Sequence, residues 1–143
     1  MQIMNKHEYL NFLSSGTKTA HLATVRKDER PHVVPIWFVI EDDKLIFNTG
    51  KNSVKGKNLL RDKNVCISVD NPTPLYDFVQ VQGTADISED IDEMLVWATK
   101  IGGRYMGEEN AEAYGKRNAT EDELLVKVNI EKVNAYKDVA GWE

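Results

Sequence analysis

Cysteine is nearly absent from this sequence, since Cys66 is the only one among 143 residues. A single thiol cannot close a disulfide within the chain, and it cannot provide the cysteine cluster of a structural zinc site. Cys66 also falls in the middle of a strand-like segment, where a passive, half-buried thiol is expected rather than a nucleophile. This cysteine usage suits a reducing compartment, so we expect the protein in the cytoplasm.

Long apolar runs and an excess of basic charge are missing as well. No stretch approaches the roughly 20 apolar residues that a membrane-spanning helix needs, so no membrane segment is expected. The formal net charge is −5, whereas a general nucleic-acid binder needs a basic surface to neutralise phosphates. Membranes and nucleic acids are therefore not expected as partners.

The motifs of common catalytic and metal sites are also lacking. His7, His21 and His32 have no metal-type spacing and no accompanying carboxylate or cysteine pattern, so no metal site is expected. No serine lies in a Gly-x-Ser-x-Gly elbow. Gly102 and Gly103 follow a helical pattern rather than a strand, so they fail as a dinucleotide fingerprint and are interpreted as a helix stop. No catalytic residue is assigned from the sequence.

The composition and the apolar periodicity predict a mainly β protein. Hydrophobic residues make up 41% and charged residues 29% of the 143 residues, which predicts one globular domain spanning 1–143. Strands without regular helical crossovers favour an antiparallel barrel or sandwich, with the first three strands as a meander. The predicted strands are 21–26, 32–40, 44–49, 65–69, 78–87 and 124–130, and the predicted helices are 5–15, 53–61, 90–101 and 108–116.

One candidate site is the segment 46–59, where a predicted strand runs into a helix start. Asn52 or Ser53 is expected to cap the helix, and its first turn carries Lys55. Unpaired backbone N–H groups and a partial positive charge make such a helix start suitable for a phosphate ester. The alternative is an ordinary capped helix whose lysines are solvated.

A second candidate site is the segment 34–38, which contains a proline within a strand. Pro35 cannot donate to a ladder, so it is expected at a sheet edge or a bulge. A bulged backbone beside Trp37 then offers both hydrogen-bonding amides and an apolar wall to a planar ring. The alternative is a plain sheet edge with Trp37 packed in the core.

Taken in order, a set of segments resembles the pyridoxamine-phosphate-oxidase-like split-barrel flavoproteins, and within them the small deazaflavin-dependent oxidoreductases. The similarity extends over roughly residues 17–136. No single motif is specific for this family, whereas the whole set of motifs in this order is specific for it. The segments that carry the resemblance are 23–26, 30–38, 45–49, 53–62, 69–70, 78–85 and 104–107.

The resemblance implies a six-stranded antiparallel split β-barrel with flanking helices. It implies a homodimer with one cofactor in each of two clefts at the subunit interface, and a small planar or conjugated molecule as hydride acceptor. It places the cofactor ring along one strand, its ribityl chain and phosphate on the next segment, and two glutamines close to the cofactor from the partner subunit. The corresponding residues are Val34, Pro35, Ile36 and Trp37 for the ring, Thr49, Ser53, Lys55, Lys57 and Asn58 for the phosphate half, and Gln80 and Gln82.

Two cofactors are compatible with this pattern. Lys51, Lys55 and Lys57 carry more positive charge than one phosphate needs, and the carboxylate-bearing tail of deazaflavin F-420 would use the surplus. Ser53, Lys55 and the helix start alone would serve flavin mononucleotide, FMN. The resemblance to the deazaflavin subgroup favours deazaflavin F-420, with FMN as the alternative. A protein that only carries the cofactor is a third reading.

Overall fold

The computed structural model describes residues 1–142. Within them the chain forms eight strands and four helices. The strands are β1 (Gln2–Ile3), β2 (Ala20–Val25), β3 (Pro31–Ile36), β4 (Val39–Glu41), β5 (Lys44–Gly50), β6 (Asn64–Asp70), β7 (Phe78–Ser88) and β8 (Glu123–Lys137). The helices are α1 (Lys6–Ser14), α2 (Val54–Arg61), α3 (Ile91–Met106) and α4 (Glu108–Arg117).

The strands form one curled, antiparallel sheet with the order β3-β2-β6-β7-β8-β5-β4, and β1 pairs with β8. The two edge strands, β3 and β4, follow each other in the chain with only Trp37 and Phe38 between them. The curled sheet therefore brings its two edges together without hydrogen bonds between them. This arrangement confirms the predicted mainly β, antiparallel split barrel with flanking helices.

The predicted number of six strands is wrong, as is the predicted meander. The segment 32–40 is two strands, because the backbone of Phe38 is bonded to side chains instead of a ladder: its N–H donates to the Tyr105 hydroxyl at 3.4 Å and its carbonyl accepts from Arg104 at 2.6 Å. As a result, β3 pairs with β2 while β4 pairs with β5. Strand β1 has only two residues, which is too short to show an alternation of apolar and polar side chains, so the sequence pattern does not predict it.

Pro35 lies on an edge strand, as the sequence predicts. Along the sheet, β3 has β2 as its neighbour and no strand beyond it within residues 1–142, so a residue without an N–H costs no ladder bond there. Pro35 faces His21 across the β2–β3 ladder. The same edge position leaves the backbone of β3 accessible beside the gap in the barrel.

Strand β5 is buried on both faces, which explains its unbroken apolar run. Leu45 and Phe47 belong to the barrel core, whereas Ile46 points to the other face and packs with Met94 of α3 and Leu125 of β8. Helix α3 thus covers the outside of the barrel next to β5. These contacts fix the helical hairpin α3–α4 beside the gap between the sheet edges.

Helix α2 begins against the end of β5. The Ser53 hydroxyl accepts a hydrogen bond from the Gly56 N–H at 3.0 Å and donates one to the Gly50 carbonyl at 2.7 Å, so Ser53 is the predicted N-cap. A Cβ on Gly56 would lie 2.2 Å from the Gly50 carbonyl oxygen. Glycine at this position therefore allows the first turn of α2 to contact the strand end directly.

The prediction that Gly102 and Gly103 stop a helix is wrong, because α3 continues through both and ends at Met106, with Gly107 as its C-cap at a φ of 90°. Their role is close packing. A Cβ on Gly102 would lie 2.6 Å from the Cβ of Tyr114 in α4. The missing side chain allows the two helices to approach, and this contact is not visible in the local pattern.

Across residues 1–142 the longest apolar helical stretch falls short of what would be needed to cross a lipid bilayer.

Candidate functional site

A cavity of about 420 Å³ lies in the gap of the split barrel, between the edge strand β3 and strand β5. This volume is within the range of small-molecule sites. Helix α3 lines one side of it, and the starts of α2 and β8 line its polar end. Its lining residues are Thr19, Pro35, Ile36, Trp37, Asn48, Thr49, Gly50, Lys55, Ala98, Ile101, Asn118 and Glu123.

One wall of the cavity is apolar. It consists of Pro35, Ile36 and Trp37 from the end of β3, faced by Ala98 and Ile101 of α3. The Trp37 side chain is 41% exposed, so it is not a core residue, contrary to the alternative considered above. Its indole lies parallel to the ring of Tyr105, with centroids 4.9 Å apart. A planar ligand could lie against this wall.

The position of this wall depends on Arg104 and Tyr105 of α3. The Arg104 guanidinium donates to the carbonyls of Leu13, Gly16 and Phe38 at 2.7, 3.0 and 2.6 Å. The Tyr105 hydroxyl donates to the Lys18 carbonyl at 2.6 Å. Burial lowers the pKa of Arg104 and raises that of Tyr105. Both side chains thus fix the peptide that follows Trp37.

The opposite wall presents polar groups from β5 and α2. The Asn48 Nδ2 atom is buried and has no hydrogen-bond partner, although an unpaired buried donor costs about 1–3 kcal/mol. The Thr49 hydroxyl lies 3.2 Å from that of Ser53. Half-buried Lys55 extends from the first turn of α2 into the cavity. An acceptor group on a ligand would satisfy Asn48 and be attracted by Lys55.

An acidic residue, Glu123, also lines this polar end. It pairs with Gly50 at the start of β8. Burial raises the pKa of the Glu123 carboxyl, while nearby Lys55 lowers it in part. The cavity therefore combines one ammonium group, one carboxyl group and the amides of Asn48 and Asn118.

The structure brings five of the sequence-predicted site residues to this one cavity: Pro35, Ile36, Trp37, Thr49 and Lys55. Both halves of the predicted site thus contact the same space. Ser53 is adjacent, but its hydroxyl is engaged in capping α2. Val34 is half-buried on β3 and is not among the lining residues.

Lys57 and Asn58 lie elsewhere. Residues two positions apart on a helix point to nearly opposite sides, so Lys57 faces away from the cavity that Lys55 lines. It faces a separate groove, which we call the basic groove. This groove is lined by Arg26, Lys27, Asp28, Val54, Lys57, Asn58 and Arg61. Asn58 is buried and donates to the Thr24 hydroxyl at 3.0 Å. The Lys51 ammonium forms an ion pair with Glu89. Of the three lysines considered together from the sequence, Lys55 alone lines the cavity.

Gln80 and Gln82 are on β7, away from the cavity. They point to the face opposite buried Val79 and Val81, as the alternation predicts. Gln80 accepts a hydrogen bond from Asn134 at 3.1 Å, and Gln82 is exposed. Within one chain they do not contact the cavity.

The residues present fit the phosphate and ring of a flavin-type cofactor. The unpaired Asn48 donor and the Lys55 ammonium suit an anionic or carbonyl group, and the wall from Pro35 to Trp37 suits a planar ring. In the described part of the chain no group of three or more histidine, cysteine, aspartate or glutamate residues is arranged to hold a metal ion. The Asn48 and Lys55 donors beside the apolar wall favour an organic anion as ligand.

Several lining residues were missed by sequence reasoning. Asn48 had a detectable signal, because it is a lone amide at the end of an apolar strand. Glu123 directly precedes the buried residues Leu124 and Leu125, which is a weaker signal. Ala98 and Ile101 reach the cavity through the packing of α3 on the barrel, for which the local pattern gives no indication.

Comparison with known proteins places this geometry in context. The family model described as pyridoxamine 5'-phosphate oxidase matches residues 6–137. Among curated proteins no significant match is found.

The solved structures with similar folds include a protein of unassigned function, a reductase and a heme storage protein. The conserved hypothetical protein Rv2991 from Mycobacterium tuberculosis has 21% identity and a TM-score of 0.86, covering 99% of this chain and 90% of that one. A structure described as F420 reductase has 26% identity and a TM-score of 0.71, covering 87% and 94%. The heme storage protein HutZ from Vibrio cholerae has 17% identity and a TM-score of 0.71, covering 94% and 95%.

Proposed function

The chain belongs to the pyridoxamine 5'-phosphate oxidase family, and we propose that it is a deazaflavin-dependent oxidoreductase. A reduced deazaflavin supplies a hydride for a small planar or conjugated acceptor. The observation that carries this proposal is the single cavity in which the apolar wall from Pro35 to Trp37 meets the anion-binding groups Asn48 and Lys55. The 26% identical F420 reductase adds support.

In this proposal the protein binds, orients and shields the cofactor. Lys55 holds the phosphate, Asn48 donates a hydrogen bond to an acceptor atom of the cofactor, and Pro35 to Trp37 hold the ring face. Ala98 and Ile101 exclude water from one side of the ring. Because the redox chemistry belongs to the cofactor, the site needs no acid, base or nucleophile cluster of its own.

We propose deazaflavin F-420 rather than FMN because of the cations in the basic groove, and not because of the three lysines Lys51, Lys55 and Lys57 together. Lys51 is paired with Glu89, so the tail carboxylates of F-420 would use the basic groove. Arg26, Lys27, Lys57 and Arg61 offer four cations there against one acidic residue, Asp28. FMN, which has no such tail, would need the cavity alone and remains the alternative cofactor.

We further propose a cytoplasmic homodimer in which the cofactor contacts both subunits. Gln80 and Gln82 are not among the residues that line the cavity of their own chain, and the partner's cavity would give them a role. Light scattering should give twice the mass of one chain. A monomer that binds cofactor with full affinity would contradict this part of the proposal.

Titration of the purified protein with both cofactors tests the cofactor assignment. We expect micromolar or tighter binding of deazaflavin F-420, detected by quenching of its fluorescence. Binding of FMN with no binding of F-420 would support the FMN alternative. Loss of the absorbance of reduced F-420 on addition of quinones and enones would then distinguish an oxidoreductase from a cofactor carrier.

A further inference from the structure

Glu123 is the one lining residue whose charge opposes the anion that the cavity is suited to bind. It shares the polar end of the cavity with Lys55, yet the two side chains form no ion pair within 4.0 Å. The carboxyl is half-buried at the start of β8, next to Gly50. A phosphate placed at Lys55 would therefore lie in the same cavity as this carboxyl.

The charged groups around Glu123 come from three directions. Lys55 faces it from α2, Arg117 from the end of α4, and Asp122 from the preceding residue. Of these, Lys55 also lines the cavity, whereas Asp122 is exposed and lies outside the lining. Lys51 and Glu121 lie near Asp122, but Lys51 is already paired with Glu89.

Burial makes the charged form of Glu123 less favourable even without a ligand, and so raises its pKa. A phosphate in the cavity would add like-charge repulsion and would compete for Lys55, the cation that now favours the carboxylate. Both effects act in the same direction and favour the protonated carboxyl. Because linkage is reciprocal, protonation must then strengthen binding of the anion.

We infer that Glu123 couples binding of the phosphate group in this cavity to the uptake of a proton from solvent, so that it selects against anionic ligands as pH rises. This inference rests on the proposed function, since it concerns how the same cavity accepts its phosphate-bearing ligand. The proton adds to the Glu123 carboxylate, and no other bond forms or breaks.

The test compares wild-type protein with Glu123→Gln, which keeps the shape and polarity of the side chain. Isothermal titration calorimetry in buffers of different ionisation enthalpy counts the protons taken up. With FMN we expect the variant to bind about tenfold tighter at about pH 7.5, and the difference to be smaller at about pH 5.5, which is closer to the ordinary glutamate pKa of 4.5. The phosphate of FMN itself titrates near pH 6, and comparing the two proteins cancels that contribution.

Deazaflavin F-420 is the second probe, because its phosphodiester stays ionised throughout this range, and riboflavin is the phosphate-free control. Riboflavin should bind both proteins with equal affinity. Glu121→Gln removes an exposed charge that lies outside the cavity and is not among the groups acting on Glu123, so it should keep the pH dependence of the wild type. If Glu123→Gln does not fold, proton uptake by the wild type with F-420 but not with riboflavin provides the same test.

The outcomes separate this inference from the proposed function. Equal affinity of wild type and Glu123→Gln at both pH values, or weaker binding by the variant, overturns the role of Glu123 while leaving the cofactor site intact. Failure of the wild type to bind either cofactor at any pH overturns both. The inference is supported if the variant binds more tightly than the wild type at the higher pH, with a smaller difference at the lower pH, and takes up fewer protons on binding.

Discussion

The indole of Trp37 lies on the phenol ring of Tyr105, with planes 2° from parallel. This contact joins the end of β3 to helix α3 across the gap in the barrel. The Tyr105 hydroxyl donates to the Lys18 carbonyl and accepts from the Phe38 N–H. One side chain therefore supports both the ring and the backbone of the cavity wall.

Two substitutions of Tyr105 should separate these contributions. Tyr105→Phe keeps the stacked ring and loses the hydroxyl, so we expect a loss of about 1–3 kcal/mol in unfolding free energy and cofactor affinity within twofold of wild type. Tyr105→Ala removes the ring and should cost about 3–5 kcal/mol. It should also weaken cofactor binding, because Trp37 loses its support. Urea unfolding and cofactor titration measure both, and equal affinities for the two variants would contradict the assignment.

Lys55 and Lys57 form a matched pair, because they are two residues apart on α2 but face different spaces. Lys55→Ala should weaken binding of FMN by one to about 3 kcal/mol, the usual range for a charge-assisted contact. Lys57→Ala should leave FMN binding within twofold. For F-420, Lys57→Ala should weaken binding if the tail occupies the basic groove. An unchanged dissociation constant for Lys55→Ala would remove Lys55 from the site.

Substitution of Asn48 by leucine should affect stability and cofactor binding differently. Asn48→Leu removes a buried donor that has no partner, so the unfolding free energy should stay within about 1 kcal/mol of wild type or rise. Cofactor affinity should fall about tenfold, since the ligand loses a hydrogen bond. Thermal unfolding with and without cofactor gives both quantities. A variant that is destabilised but binds normally would indicate a structural role instead.

The stability of the protein should depend on pH through Glu123. Burial raises its pKa in the folded state above the ordinary value of 4.5, so the folded state holds a proton that the unfolded state has already lost. Stability therefore falls as pH rises above about 4.5. Glu123→Gln should match wild type near pH 4 and be more stable at pH 8, by under about 1 kcal/mol because the group is partly solvated. Parallel pH profiles of unfolding free energy would contradict this.

The adjacent glycines of α3 should respond differently to alanine. Gly102→Ala places a Cβ 2.6 Å from the Tyr114 Cβ, and overpacking of about 1–3 kcal/mol should exceed the gain of up to about 1 kcal/mol in helix propensity. Gly103→Ala meets the flexible end of Glu108 at 2.7 Å, which can move. We expect that variant to be neutral or stabilising, and urea unfolding of the two variants provides the comparison.

Much of the fold was predictable because it depends on local pattern. Alternating apolar residues located the strands β2, β6 and β7 closely, and a short apolar run located β5. The Ser53 cap and the edge position of Pro35 follow from the chemistry of those residues alone. The number of strands was not predictable. The break between β3 and β4 is created by Arg104 and Tyr105, which lie more than 60 residues further along the chain.

The candidate site divides in the same way. By itself the sequence determined that a capped, lysine-bearing helix start follows a strand, and that Pro35 lies at a strand edge or a bulge, because these properties depend on neighbouring residues. Only the tertiary structure decided that the helix start and the strand edge face one cavity, that Lys55 lines this cavity while Lys57 does not, and that Glu123 shares its polar end with Lys55. Those facts depend on how the sheet curls and on which side of α2 packs against β5, and both are fixed by contacts between distant residues.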